Sequence, residues 1–172
     1  MTDGMHIYLV RHTEAVPVGG TITRDADRTL SVRGEADAVL MGQALAKVEP
    51  DLDIVVTSPL VRAVQTGEII GGQISQHPIL HVSEHLAPGF NHRSLMQELV
   101  SLSGGGRIIA VGHQPDLTNF ISYFIAGSSY ASIAMETGAI ASIALRPEGG
   151  RSEAYLRWIL TPDIVKSLQN ER

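Results

Sequence analysis

The chain has 172 residues, 44% of them hydrophobic and 18% charged, with a formal net charge of -5. Such a composition belongs to a globular domain with room for a real core, and the acidic balance argues against broad nucleic-acid binding. Cysteine is absent, which excludes disulfides, thiolate catalysis and cysteine zinc sites.

The start, Met1-Thr2-Asp3-Gly4, has no basic region followed by a long apolar run. No stretch approaches the roughly 20 apolar residues of a membrane span, so a cytoplasmic protein without a membrane partner is expected. The basic residues are skewed: eleven arginines against Lys47 and Lys166. Arg11, Arg24, Arg28, Arg33 and Arg62 lie toward the amino-terminal end, where a local cationic pocket would suit a phosphate.

Ile7-Tyr8-Leu9-Val10 reads as a buried strand running into Arg11-His12. Arginine grips oxyanions in a fixed fork, and histidine attacks or shuttles protons near neutral pH. Alone, such a pair is ordinarily a strand end meeting water. Val16 to Arg28 reads as a loop. Ser31 then offers a helix cap, with Ala36, Val39, Leu40, Ala44 and Val48 as the expected buried face, and Pro50 stops that helix.

Ile54–Thr57 is a second strand. Ser58-Pro59 is expected to open a helix, serine as cap and proline at its first position, which places Arg62 in the first turn near the free N–H groups. Gly71-Gly72 ends it. Ile79–Val82 reads as a short strand, Ala87-Pro88-Gly89 as a turn, and Ser94–Leu102 as a helix. After Gly104-Gly105-Gly106, the strand Arg107–Gly112 delivers His113, and Pro115-Asp116 start another helix. Ala139–Leu145 and Ala154–Leu160 read as a hairpin around Pro147-Glu148-Gly149-Gly150, followed by a short polar helix from Thr161. The alternation predicts one α/β domain over 1–172: a three-layer α/β/α sandwich, mostly parallel, with an antiparallel carboxyl-terminal hairpin.

Three strand ends thus supply Arg11-His12, Arg62 and His113. The pieces Leu9-Val10-Arg11-His12-Thr13-Glu14, Thr57-Ser58-Pro59-Leu60-Val61-Arg62-Ala63-Val64-Gln65-Thr66 and Val111-Gly112-His113 resemble the histidine phosphatase superfamily, with its phosphoglycerate mutase-like fold. The short length, Arg28 to Glu35 and Thr137 to Ile143 make the chain look like a SixA-type phosphohistidine phosphatase with a minimal lid.

The resemblance implies that His12 is the phosphoryl-accepting nucleophile and that Arg11, Arg62 and His113 clamp the phosphoryl oxygens. Two arginines and a protonated histidine would do the work of metal ions, so no cofactor and no metal are expected. His81 and His85 lie near a strand and a turn rather than on one helix face. A carbonyl on the other ring nitrogen would fix the His12 tautomer.

Thr13 stands where the family often has glycine and would offer a hydroxyl to substrate. The residues after it, Ala15 to Val18, supply no pocket asparagine. Arg28, with Asp25, is a candidate substrate contact, and Glu14 is expected to hold Arg11 or a backbone group. The candidate general acids are Glu84 and His85, with the choice open. An imidazole leaves more easily than an alkoxide, so a weak acid points to protein phosphohistidine, on a partner such as a histidine phosphotransfer domain in signal transduction. The alternatives are a phosphatase of small phosphoesters and a non-catalytic phospho-binding module. A mutase fits poorly, because the chain is too short to enclose a bisphosphate.

Overall fold

The computed structural model describes residues 4–128, 131–148 and 151–170. Six strands, β1 (Met5–Arg11), β2 (Ile54–Thr57), β3 (Ile79–Val82), β4 (Arg107–Gly112), β5 (Ile140–Glu148) and β6 (Arg151–Leu160), form one sheet in the order β3-β2-β4-β1-β5-β6. β3, β2, β4 and β1 are parallel, and β5 and β6 are antiparallel additions at one edge. The helices are α1 (Val32–Val48), α2 (Val61–Gly72), α3 (His92–Ser103), α4 (Asp116–Ala126) and α5 (Pro162–Gln169).

Alternation along β1 decides the layers. Ile7 and Leu9 pack with Leu95, Leu99, Leu117 and Phe120 of α3 and α4, whereas Tyr8 and Val10 pack with Met41, Leu45, Ala63, Ile70 and Val165 of α1, α2 and α5. Successive side chains of a strand face opposite ways, so a strand buried on both faces needs helices on both. The expected three-layer sandwich is present. The segment between α2 and β4 adds β3, a 3-10 turn at Glu84–Leu86 and α3, whose Leu95 and Leu99 are fully buried in the core.

Several local expectations are corrected. The buried face of α1 is Gly34, Asp37, Ala38, Met41, Gly42 and Leu45; of the expected series, Leu40 and Ala44 are partly buried against the core, whereas Ala36 is exposed and Val48 is 55% exposed. The buried stripe is displaced from the expected one and includes small residues where α1 approaches its neighbours. A Cβ on Gly42 would lie 3.0 Å from the Ile70 Cα of α2. Asp37 is held on the same face by Lys166 of α5 at 2.7 Å. Ser58-Pro59 do not open α2; it begins at Val61, with Leu60 at the cap position and no side-chain capping bond. α3 begins at His92, two residues early, because the Asn91 side chain accepts from the N–H groups of Arg93 and Ser94. Of the expected hairpin tip, Gly149-Gly150 lie outside the described residues. No helix among the described residues is long and apolar enough to cross a membrane.

The carboxyl ends of the parallel strands meet at one rim. Arg11 pairs with Gly112 in register, and the ladder continues past the strands: His12 N–H donates to Gly112 O (3.1 Å) and Ser58 N–H to Val111 O (2.9 Å). The segment after β1 is pinned from behind by α1. Ser31 caps that helix by accepting from Gly34 N–H and donates its hydroxyl to Glu14 Oε1 (2.7 Å). A Cβ on Gly34 would lie 2.0 Å from the Glu14 backbone oxygen, so only glycine allows this approach. Gly34→Ala should therefore cost about 2–3 kcal/mol, the range of severe overpacking. Gly72→Ala, with nothing within 4 Å of its Cβ, should gain up to about 1 kcal/mol. Urea unfolding of the two variants checks the contrast, and equal midpoints would refute it.

Candidate active site

His12 follows β1 and sits between two fixed partners. Its Nδ1 is 2.7 Å from the carbonyl oxygen of Thr13, and Arg62 Nε donates to its Nε2 at 3.1 Å. A carbonyl only accepts and a guanidinium only donates. Nδ1 therefore carries the proton and Nε2 presents its lone pair. The ring is neutral, in the tautomer whose Nε2 could act as a nucleophile. Burial above all lowers the His12 pKa to about 4, with Arg62, Arg11 and Arg28 adding to the effect against the opposing Thr13 carbonyl.

Arg62 lies in the first turn of α2 and is 5% exposed. One turn on, the Thr66 hydroxyl donates to the Arg62 carbonyl (2.7 Å) and accepts from Thr13 N–H (3.2 Å). That pairing holds α2 against the residue after His12. Beyond His12, the Arg62 guanidinium donates through Nη1 to the Asp25 carbonyl (2.7 Å) and through Nη2 to Asp25 Oδ2 (2.9 Å).

His113 follows β4, and its ring centroid is 5.1 Å from that of His12. Its Nε2 is 2.8 Å from Ser58 Oγ, which explains why Ser58 follows β2 without serving as a helix cap. The expectation of a protonated His113 is corrected for the free site. Burial first, then His12 and Arg62, lower its pKa to about 3, against the opposing charge of Asp25. An incoming dianion favours the charged form, so any charge on His113 arrives with the substrate.

Arg11 donates through Nη1 to the carbonyl of Met135 at 2.8 Å. The segment before β5 returns to the same place: Gly138, at φ +77, donates its N–H to the carbonyls of Arg11 (3.1 Å) and His12 (3.3 Å). A side chain at position 138 would be strained there and would press on Thr13 Cγ2. Among the described residues, Arg11 Nε and His113 Nδ1 are buried without a hydrogen-bond partner. Buried polar groups without a partner call for an explanation, and an oxyanion is one ligand that such donors suit.

His12, Arg11, Arg62 and His113 are thus brought together from three strand ends. The other candidates make different contacts. Thr13 is fully buried with its hydroxyl against Thr66 Oγ1 (3.3 Å), so it does not offer that hydroxyl to substrate; its carbonyl is what serves the site. Glu84 and His85 are exposed on the 3-10 turn, and neither enters the hydrogen-bond network of His12, Arg62 and His113. Arg28 points along its own loop, donating to Val16 O (2.6 Å), Ala15 O (3.3 Å) and Asp25 Oδ1 (3.0 Å). Glu14 holds Ser31 rather than Arg11. Among the described residues no group of three His, Cys, Asp or Glu side chains is placed to hold a metal ion. Sequence reasoning missed Ser58 and Thr66; the spacing of Arg62 and Thr66, one helical turn apart, was the available signal.

Residues 7–86 match the model of the histidine phosphatase superfamily (branch 1). An uncharacterised protein of Picosynechococcus is 29% identical over 154 residues, covering 88% of this chain and 90% of its own. Among solved structures, the protein histidine phosphatase SixA complexed with tungstate superposes with a TM-score of 0.80 at 24% identity, covering 92% of this chain and 97% of its own. A phosphoserine phosphatase mutant from Entamoeba histolytica, bound to phosphoserine, gives 0.70 at 16% identity, covering 93% and 98%. The fold is shared with these structures along nearly the whole chain, and the segment that matches the histidine phosphatase superfamily model contains Arg11, His12 and Arg62.

Proposed function

We propose that the protein is a phosphatase that works through a phosphoryl group carried on His12 and removes phosphate from protein phosphohistidine. The carrying observation is the state of His12: neutral, proton on Nδ1, lone pair on Nε2, beside the Arg62 guanidinium. In the first step the phosphorus–nitrogen bond of the substrate breaks as a bond from phosphorus to His12 Nε2 forms. Arg62 Nε then shifts from Nε2 to a phosphoryl oxygen, joined by Arg11 and His113. The His12 ring becomes cationic, and the Thr13 carbonyl stabilises it through the Nδ1 proton. In the second step water adds its hydroxyl to phosphorus, His12 leaves neutral with Nδ1–H intact, and the remaining proton goes to solvent. Fixed cations supply the charge neutralisation that phosphoryl transfer needs.

What surrounds the clamp supports this substrate class. Among the described residues, the Asp25 carboxylate bears on both Arg62 and His113, and its contacts with Arg28 and Arg62 hold it below the ordinary carboxylate pKa. An ionised carboxylate cannot protonate an alkoxide. An imidazole, with a reference pKa of about 6.5, departs without such an acid once its own ring is protonated. SixA, the structural neighbour, is described as a protein histidine phosphatase. A histidine phosphotransfer domain in a signalling relay is the partner this reading implies. The phosphoserine-bound neighbour keeps small phosphoesters as the competing class.

His12→Ala should abolish turnover and the acid-labile phosphoenzyme, seen by rapid quench and mass spectrometry; activity near wild type would overturn the nucleophile assignment. With a phosphohistidine-bearing protein, kcat/KM should exceed that for phosphoserine or p-nitrophenyl phosphate at least about a hundredfold, the scale of a lost leaving-group proton; the reverse order would move the substrate to small phosphoesters. His12 must be deprotonated to attack, and its pKa is lowered to about 4. Corrected for substrate ionisation, kcat/KM should hold between about pH 8 and 5.5 and fall only near the lowered pKa, whereas an ordinary histidine would lose activity near 6.5. A midpoint at 6.5 would contradict the lowered His12 pKa.

A further inference from the structure

Asp25 is joined to the phosphate clamp more closely than a loop residue needs to be. Its carboxylate bridges two arginines, Oδ2 to Arg62 Nη2 (2.9 Å) and Oδ1 to Arg28 Nη1 (3.0 Å), while its carbonyl takes Arg62 Nη1 (2.7 Å). The same Arg62 reaches His12 Nε2 through Nε. One guanidinium therefore separates the Asp25 carboxylate from the attacking atom. Arg62 is 7% exposed by side chain and Asp25 58%. The carboxylate thus stands on the solvent side of the clamp. A phosphoryl group carried by another protein enters from solvent, so its leaving group lies on that side during attack.

From this placement we propose that Asp25 is a specificity-determining residue, a fixed negative charge at the mouth that favours leaving groups bearing positive charge and disfavours those developing negative charge. The inference rests on the phosphatase reading above and deepens it. N-phosphoimidazole is reactive when its distal nitrogen is protonated; the ring is then cationic, the phosphorus–nitrogen bond breaks, and imidazole departs neutral with that proton. A carboxylate beside it stabilises the cationic ring relative to the unprotonated substrate in solution. A phosphate ester instead places growing negative charge on its leaving oxygen, which the same carboxylate repels. Asp25 remains ionised because Arg28 and Arg62 hold it so, and it does not act as a proton donor.

The test uses Asp25→Asn, which keeps hydrogen-bonding capacity and removes the charge. The probes are phosphoimidazole and p-nitrophenyl phosphate at about pH 8, above the ordinary imidazole pKa. The variant should lose about tenfold in kcat/KM on phosphoimidazole and gain a few fold on p-nitrophenyl phosphate. The ratio of the two efficiencies should fall at least about tenfold. In wild type, but not in the variant, that ratio should also fall as salt is raised from roughly 0.02 to 0.5 M. Equal changes on both substrates would mean that Asp25 merely positions Arg62 and would overturn the proposal. So would an unchanged ratio. A wild-type enzyme that hydrolyses p-nitrophenyl phosphate but neither phosphoimidazole nor a phosphohistidine protein would instead refute the substrate assignment above.

Discussion

The imidazole of His12 is held by one carbonyl and one guanidinium, and the chemistry follows from that pair of bonds. The Thr13 carbonyl fixes the proton on Nδ1, and Arg62 fixes the lone pair on Nε2. Neither partner can exchange its role, because a carbonyl has no proton to give and a guanidinium none to lose at ordinary pH. The His12 ring is therefore held neutral with Nε2 unprotonated, and burial beside arginines keeps it so into acid.

The rest of the structure keeps those partners in place. Parallel pairing of β1 with β4 sets His12 beside Gly112, and the backbone ladder runs one residue beyond the strand. Thr66 ties α2, and so Arg62, to the residue after His12. Gly138 brings the segment before β5 onto the carbonyls of Arg11 and His12. α1 closes on Glu14 through Gly34 and Ser31. Each contact crosses between elements far apart in sequence. The site is therefore as rigid as the packing of the three layers, which is what charge stabilisation without reorganisation requires.

The charge balance around the clamp is asymmetric. Arginines lie within, a carboxylate lies at the exposed side, and the histidines are neutral when no anion is present. The protein thus relies on guanidinium groups, whose charge is insensitive to burial, rather than on imidazolium, whose charge is not. The His113 pKa is lowered to about 3, mainly by burial, so the ring carries no charge of its own at neutral pH.

Much of this was legible in the chain itself. β2, β3 and β4 have the bounds that apolar runs between turn signals imply, and α5 begins after Thr161. Strand ends, caps and the Arg-His motif are local features, written within a few residues. The helix faces were less legible. α1 buries two glycines and Asp37, which a hydrophobicity pattern passes over, since close helix approach selects small side chains. The sequence by itself determined the order of strands and helices and the identity of His12, Arg11, Arg62 and His113 as the residues at their ends. Only the tertiary structure decided that Asp25 sits on Arg62 and Ser58 on His113, that the Thr13 hydroxyl turns to Thr66, and that Glu84 and His85 are exposed. The first two pairings span 37 and 55 residues, and only the packed sheet and helices bring such distant side chains within hydrogen-bond reach.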